Sequence, residues 1–424
     1  MYQKQILKNN IRLLTIPTQG VKSATALVLV RTGSRFEQKQ TNGISHLLEH
    51  MAFKGTEKRP STVTISSLLD SVGAEFNAYT GKEFTGYWVK LESSHLPLAL
   101  DILSDILLHS LYLEEELERE KGVVIEEINM YEDTPMRNIG DVFEDLIFKG
   151  TSLGWRIAGT KESVRVVSRS DMVNYVKRQY TGDNIVVGIS GAVEKTGNSR
   201  ELVEEYFSPF AKGEENKYPE AKFSQTGPDF YLYPHKADQA SFILGLRAYP
   251  YNHPDRYPLA VLNTVLGASM SSRLWIEVRE RRGLAYFVRS GVEEYLDNGY
   301  LGIQAGVAIP RIDEAVKTIL EQLDLIRSKP VQASELARAK ENWKGKMVLT
   351  LEDTQNVASM YVHQELMEAK IDEPEEILKK IDAVTVDDIQ RVAKDVIKNE
   401  SLNLAVIGPY KKKEENKLQN LLKL

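Results

Sequence analysis

The chain has no cysteine among its 424 residues. That absence excludes disulfides, thiolate nucleophiles and every metal site built on sulfur. A bound metal would have to rest on His, Asp or Glu, and histidine is itself scarce, with 7 in the chain. No apolar run approaches the roughly 18–20 residues that cross a bilayer, so no membrane partner is expected. An excess of positive charge is missing too. The 54 Lys and Arg against 60 Asp and Glu leave a formal net charge of −6, which removes the electrostatic footprint of nucleic-acid binding. The first ten residues are polar and lysine-containing and lack the apolar core and cleavage site of a secretory signal, so the expected compartment is the cytoplasm.

The composition, 42% hydrophobic and 27% charged, is that of a folded globular protein, and the length exceeds one ordinary core. The chain reads as one layout written twice. Strand-like segments at Ile11–Pro17 and Ala24–Arg31 precede helical ones near Ile44–Phe53 and Val63–Val72. Strands at Ala74–Thr80 and Phe84–Leu91, a helical stretch from His95 to Phe148, a helix at Asp171–Gln179 and a strand at Asn184–Ser190 follow. The second half repeats the order. Strands at Asp229–Tyr233 and Ala240–Arg247 precede helices at Arg256–Leu266 and Ser272–Arg281, then strands at Ala285–Glu293 and Tyr300–Val307. Helices over Arg311–Ile397 and a strand at Leu402–Ile407 complete it. The expected fold class is α+β, with two homologous domains that each pack helices on a mainly antiparallel sheet. Their expected bounds are 1–212 and 229–424, joined by a Gly-, Pro- and charge-containing linker at 213–228.

The densest chemical signal is the pentad His46-Leu47-Leu48-Glu49-His50. Histidines at i and i+4 share one helix face and can reach one metal ion, and Glu49 is placed to handle the proton of a metal-bound water. The order is that of the inverted zincin pattern His-x-x-Glu-His. An ordinary solvated or core-satisfied histidine pair is the competing explanation of so short a match. At the matching place in the second half stands Leu262-Asn263-Thr264-Val265-Leu266, with no such ligand, so one copy carries the chemistry and the other the fold.

Two histidines need a third protein ligand at a catalytic zinc. The acidic segment from Glu114 to Glu127 reads as a long helix on which Glu116, Glu120 and Glu127 share a face, while Glu126 points about 100° away. Spacing nominates Glu120 and Glu127 together. Acidic runs are more often solvated faces, but Gly122-Val123-Val124-Ile125 is expected to bury this helix, and buried carboxylates need a partner. His95, His109, His235, His253 and His363 have no comparable company.

The string from Asn42 to Thr56, the segment Glu120–Glu127, and the stretch Ser271-Ser272-Arg273-Leu274 through Arg282-Gly283-Leu284-Ala285-Tyr286 together resemble the pitrilysin (insulinase) family of zinc metallopeptidases. The likeness is to its shorter, two-repeat branch of processing-peptidase-like proteins. It implies one zinc per chain held by His46, His50 and Glu127, with Glu49 as general base and Glu120 as a carboxylate behind the ligands. It also implies that Arg279 and Tyr286 reach the substrate. Gly73–Tyr79 resembles the family's substrate-binding edge strand, so Phe76, Asn77 and Ala78 are expected to take an extended peptide by main-chain hydrogen bonds. The implied protein is half of a clamshell, an endopeptidase acting on peptides or short unfolded segments inside a closed chamber, with a homodimer as the expected assembly. The alternative is a non-catalytic peptide-binding or assembly subunit of the same family.

Overall fold

The computed structural model describes residues 2–193, 199–367 and 370–424. It contains two sheets. The first is built from β1 (Gln3–Ile6), β2 (Arg12–Pro17), β3 (Ser23–Val30), β4 (Glu75–Thr80), β5 (Thr85–Glu92) and β6 (Ile185–Gly191), in the order β1-β2-β6-β3-β5-β4. The second is built from β7 (Asp229–Pro234), β8 (Gln239–Ala248), β9 (Ala285–Glu294), β10 (Gly299–Ala308) and β11 (Leu402–Gly408), in the order β7-β11-β8-β10-β9. Each sheet has one parallel pair, β2 with β6 and β7 with β11, and is otherwise antiparallel. The mainly antiparallel α+β layout expected from the repeated pattern is therefore present in both halves. β1 was not anticipated. Its residues Gln3-Lys4-Gln5-Ile6 are mostly exposed and carry no apolar alternation, and only pairing with β2 makes them a strand.

Compactness divides the chain differently from two contiguous halves. One unit comprises 1–128, 155–219 and 349–371, and the other 129–154, 220–348 and 372–424. Each sheet needs cover on both faces. In the first unit one face packs the larger core that includes Leu47, Val89, Leu103 and Val124. The other face, with Leu14, Ile16, Leu27 and Leu29, packs against the helix Thr354–Leu366 through Ala358, Tyr361 and Val362. In the second unit Ile243, Ala405 and Ile407 pack against Ile139, Val142 and Phe143 of the helix Pro135–Ile147. Each sheet is thus completed by a helix from the sequence of the opposite half. The expected linker is split as well, since 213–219 belong to the first unit and 220–228 to the second. Glu215 pairs with Arg31 at 2.7 Å, and Asn216 Nδ2 donates to the Arg31 carbonyl at 2.6 Å.

A glycine lets each of these helices lie close to its sheet. A Cβ on Gly188 of β6 would fall 2.2 Å from Val362 Cγ2, and one on Gly245 of β8 would fall 2.3 Å from Phe143 Cζ. Both partner side chains are fully buried and have nowhere to move. Gly245→Ala is therefore expected to destabilise the second unit by about 1–3 kcal/mol, the usual cost of overpacking. Urea unfolding followed by circular dichroism measures it, and an unchanged midpoint would contradict the contact.

Candidate metal and catalytic site

The pentad lies on the helix Ile44–Ala52. Gly43 precedes it with φ 97°, and a Cβ there would sit 2.7 Å from the Ala158 carbonyl oxygen. The first turn is closed by a buried carboxylate, Glu37. Its oxygens accept from Gly43 N at 2.7 Å, Ser45 N at 2.8 Å and Asn42 Nδ2 at 2.7 Å. A negative group at a helix N-terminus satisfies orphan amides and suits the dipole. Ile44, Leu47, Leu48 and Met51 enter the core, which turns His46, Glu49 and His50 to the opposite, partly open face.

Opposite runs the helix Glu114–Glu132, anchored by Leu117, Val124 and Ile128. Val123 is 46% exposed and does not help bury it, so the apolar anchor is narrower than the sequence suggested. Glu116 is engaged with Arg119 at 2.5 Å, and Glu126 is exposed. Glu120 and Glu127 face the histidines. Glu127 Oε2 lies 3.7 Å from His46 Nε2 and 3.6 Å from His50 Nε2. These three side chains are the one group of metal-ligating residues that converges among the described residues, with ligand atoms all within 4.8 Å. Such separations are too long for good hydrogen bonds and suit donors that share an ion about 2.0–2.2 Å from each.

Glu120 is buried and has each oxygen engaged. Oε1 meets Lys54 Nζ at 2.5 Å, and Oε2 meets His50 Nδ1 at 3.1 Å. Paired with an ammonium, this carboxylate can only accept, so the His50 proton belongs on Nδ1 and the Nε2 lone pair is directed at the shared point. Burial opposes charge on His50, but its contacts with Glu127 and Glu120 prevail and hold its pKa above the ordinary value. His46 behaves oppositely. Burial and then the neighbouring His50 lower its pKa to about 4, so it is neutral, as a ligand must be. The difference follows from partners: His50 touches two carboxylates and His46 only one. His46 Nδ1 is buried with no hydrogen-bond partner among the described residues. The donor set and the carboxylate behind it fit a divalent cation that prefers nitrogen and oxygen.

Glu49 points to β4. Its Oε2 accepts from the Thr80 hydroxyl at 2.6 Å. Burial raises the Glu49 pKa, and the Thr80 bond opposes that shift. Among the described residues β4 is an edge strand, paired only with β5. Phe76 and Ala78 face inward, with Phe76 against Phe53 at 5.9 Å, while Asn77 is exposed. Thr80 and Lys54 were missed from sequence, although both carried a signal. Thr80 has the strand parity of Phe76 and Ala78, and Lys54 is four residues beyond His50.

Arg279 and Tyr286 lie together in the second unit. Arg279 belongs to a widened, π-type helix, Trp275–Arg281, where an ordinary helix was expected. Its guanidinium sits 4.1 Å from the Trp275 ring centroid and 5.0 Å from that of Tyr286. Tyr286 is 81% exposed, so it is not a packed strand tyrosine. The remaining histidines have ordinary contacts, such as His253 stacked on Tyr249 at 3.8 Å and His363 edge-on to Phe84 at 4.9 Å.

The fold and this donor set define a class, that of two-unit proteins with an inverted His-x-x-Glu-His centre in one unit. Residues 12–161 match the family described as "Insulinase (Peptidase family M16)", and residues 167–342 match "Peptidase M16 inactive domain". The chain belongs to peptidase family M16. It is 36% identical over 420 residues to the "Uncharacterized zinc protease YmxG" of Bacillus subtilis, covering 96% of this chain and 98% of that protein. It is 34% identical to the "Uncharacterized zinc protease SCO5738" of Streptomyces coelicolor, covering 99% of this chain and 92% of that protein. A crystal structure of a protease from Helicobacter pylori shares the fold, with a TM-score of 0.90 and 22% identity over 96% of this chain and 99% of that one. The match to a domain called inactive runs from the end of the first half into the second and includes residues 262–266, the counterpart of the pentad that has no histidine. No described helix is long and apolar enough to cross a membrane.

Proposed function

We propose that the chain is a zinc-dependent endopeptidase acting on peptides or short unfolded segments. The observation that carries this is the convergence of His46, His50 and Glu127 on one point, with the half-buried Glu49 carboxyl on the same helix face. His46, His50 and Glu127 would hold one zinc, which supplies a Lewis acid for the scissile carbonyl and an acidified water. Glu49 accepts the proton of the attacking water and returns it to the leaving amine. Thr80 fixes which Glu49 oxygen is free for this work, because Oε2 is already engaged. Glu120, neutralised by Lys54, keeps the His50 ring oriented. The open edge of β4 would take the substrate main chain beside Phe76, Asn77 and Ala78 by strand addition. Roles for Arg279 and Tyr286 toward substrate, a chamber enclosed by two copies of the chain, and a cytoplasmic address belong to the same proposal and rest on the resemblance.

The test reads cleavage of a mixed peptide pool by mass spectrometry, with zinc content measured on the same sample after dialysis. The expected result is internal cuts and about one zinc per chain, the stoichiometry of a mononuclear catalytic site. Glu127→Gln is expected to lose most of its zinc and its cuts together. A zinc-loaded wild type that cuts nothing would replace this reading with that of a binding subunit.

A further inference from the structure

The second unit has a cavity where its fold corresponds to the metal site. In the first unit the site lies among the helix Ile44–Ala52, the helix Glu114–Glu132 and β4. The elements at the same places in the second unit are the helix Arg256–Leu266, the helix Ala333–Thr350 and β9. Between them opens a cavity of about 330 Å³, lined by Tyr257 and Asn263 from the first helix, Asn342, Trp343 and Lys346 from the second, and Val292 from β9. Its volume is at the small end of the roughly 300–1,000 Å³ typical of ligand sites, enough for a single residue and not for a strand.

We propose that this cavity binds the C-terminal residue of a short peptide, a free carboxylate beside an apolar or aromatic side chain. Its chemistry is complementary to that group. Trp343, Tyr257 and Val292 supply apolar and aromatic walls. The charged lining is Arg256, Lys346 and Glu294, two cations against one carboxylate, so a negative ligand is favoured. Arg256 is held in place by Glu294 at 2.9 Å and by stacking 3.9 Å over Tyr251. Lys346 is steadied by donating to the Ala268 carbonyl at 2.9 Å. Asn263 Oδ1 accepts from the Ser290 hydroxyl at 2.5 Å, which leaves Nδ2 as the end that donates to a ligand, with no acceptor among the described residues. Asn342 Oδ1 is buried with no donor among the described residues. A buried acceptor without a partner is costly, and the last peptide N–H of such a ligand would satisfy it. The place that holds ligands for a cation in one unit has thus become a place for an anion beside an apolar group in the other.

The inference stands on the second unit alone and does not require the metal centre to be catalytic. The test titrates N-acetyl-L-phenylalanine into the full chain by isothermal calorimetry, with N-acetyl-L-phenylalanine amide as comparator, both repeated on metal-stripped protein. The expected result is saturable binding of the acid, with the amide weaker by about tenfold or more, the loss of one charge-assisted hydrogen bond. Lys346→Met is expected to weaken the acid to a similar extent. Asn342→Leu should weaken it without lowering the melting midpoint, because it removes an acceptor that has no partner to lose. Metal stripping should leave binding unchanged. Equal binding of acid and amide, wild-type affinity in both variants, or loss of binding on metal removal would each overturn the proposal, the last by placing the ligand at the metal centre instead.

Discussion

Glu49→Gln is expected to retain fold and zinc while losing peptide hydrolysis by a factor of at least about 10²–10⁴, the contribution of a positioned general base. The amide matches the carboxylate in shape and still accepts from Thr80, but it cannot take a proton from water. None of the three converging ligand atoms is touched, so metal content should match wild type. Turnover and zinc measured on one preparation decide the matter, and normal turnover in a zinc-loaded variant would remove Glu49 from the role. The pH profile carries a second sign. The Thr80 hydroxyl lowers the Glu49 pKa against the lift from burial. Thr80→Val removes that stabilisation of the ionised form, so the pKa rises further and the acid limb of the hydrolysis profile moves to higher pH.

Glu83→Ala should produce the largest loss of stability. Arg35 is completely buried, and its Nη1 donates to Glu83 Oε1 at 2.5 Å, a carboxylate that is itself only 2% exposed. The guanidinium also stacks 4.1 Å over Tyr218 and donates to the Pro219 carbonyl at 3.0 Å. Removing the carboxylate strands a cation out of water, at a cost of about 3–5 kcal/mol. For a unit of this size that corresponds to a fall of roughly 10 °C in thermal midpoint. Scanning calorimetry reads it, and the paired change Arg35→Met with Glu83→Leu should recover most of the loss, since no charge is then buried alone. The pair also matters to the site. Arg35 N donates to the Lys82 carbonyl at 2.9 Å, in the turn that follows Thr80, so the single variant should also loosen the group that orients Glu49.

Local chemistry was legible in the sequence where it follows a short period. His46, Glu49 and His50 share a face because three and four residues make about one helical turn, and Glu120 and Glu127 do so over two turns. The strand pairs were legible because Val28, Val89, Leu244 and their neighbours form β-branched or apolar runs bounded by turns. What escaped depends on partners far away in sequence. β1 is polar and becomes a strand only by pairing with β2. Thr80 and Lys54 matter only because the fold brings them to Glu49 and Glu120. The widened turn at Trp275–Arg281 has no mark in composition. The helices Pro135–Ile147 and Thr354–Leu366 have ordinary helical patterns, and nothing local says which sheet each will cover.

That exchange of helices governs how the protein can be made. Synthesis runs from the N-terminus, and all six strands of the first sheet have been translated by Gly191. The helix that covers Leu14, Ile16, Leu27 and Leu29 begins only at Thr354. At about 5–20 residues per second the interval is roughly 10–30 s. During that time a nascent chain carries an apolar sheet face open to water, long enough for a ribosome-associated chaperone to engage it or for a neighbouring nascent chain to stick to it. Completion of the half that carries the His-x-x-Glu-His pentad thus waits on the translation of the other, and a messenger truncated after the first sheet would yield an aggregation-prone fragment instead of a smaller folded protein.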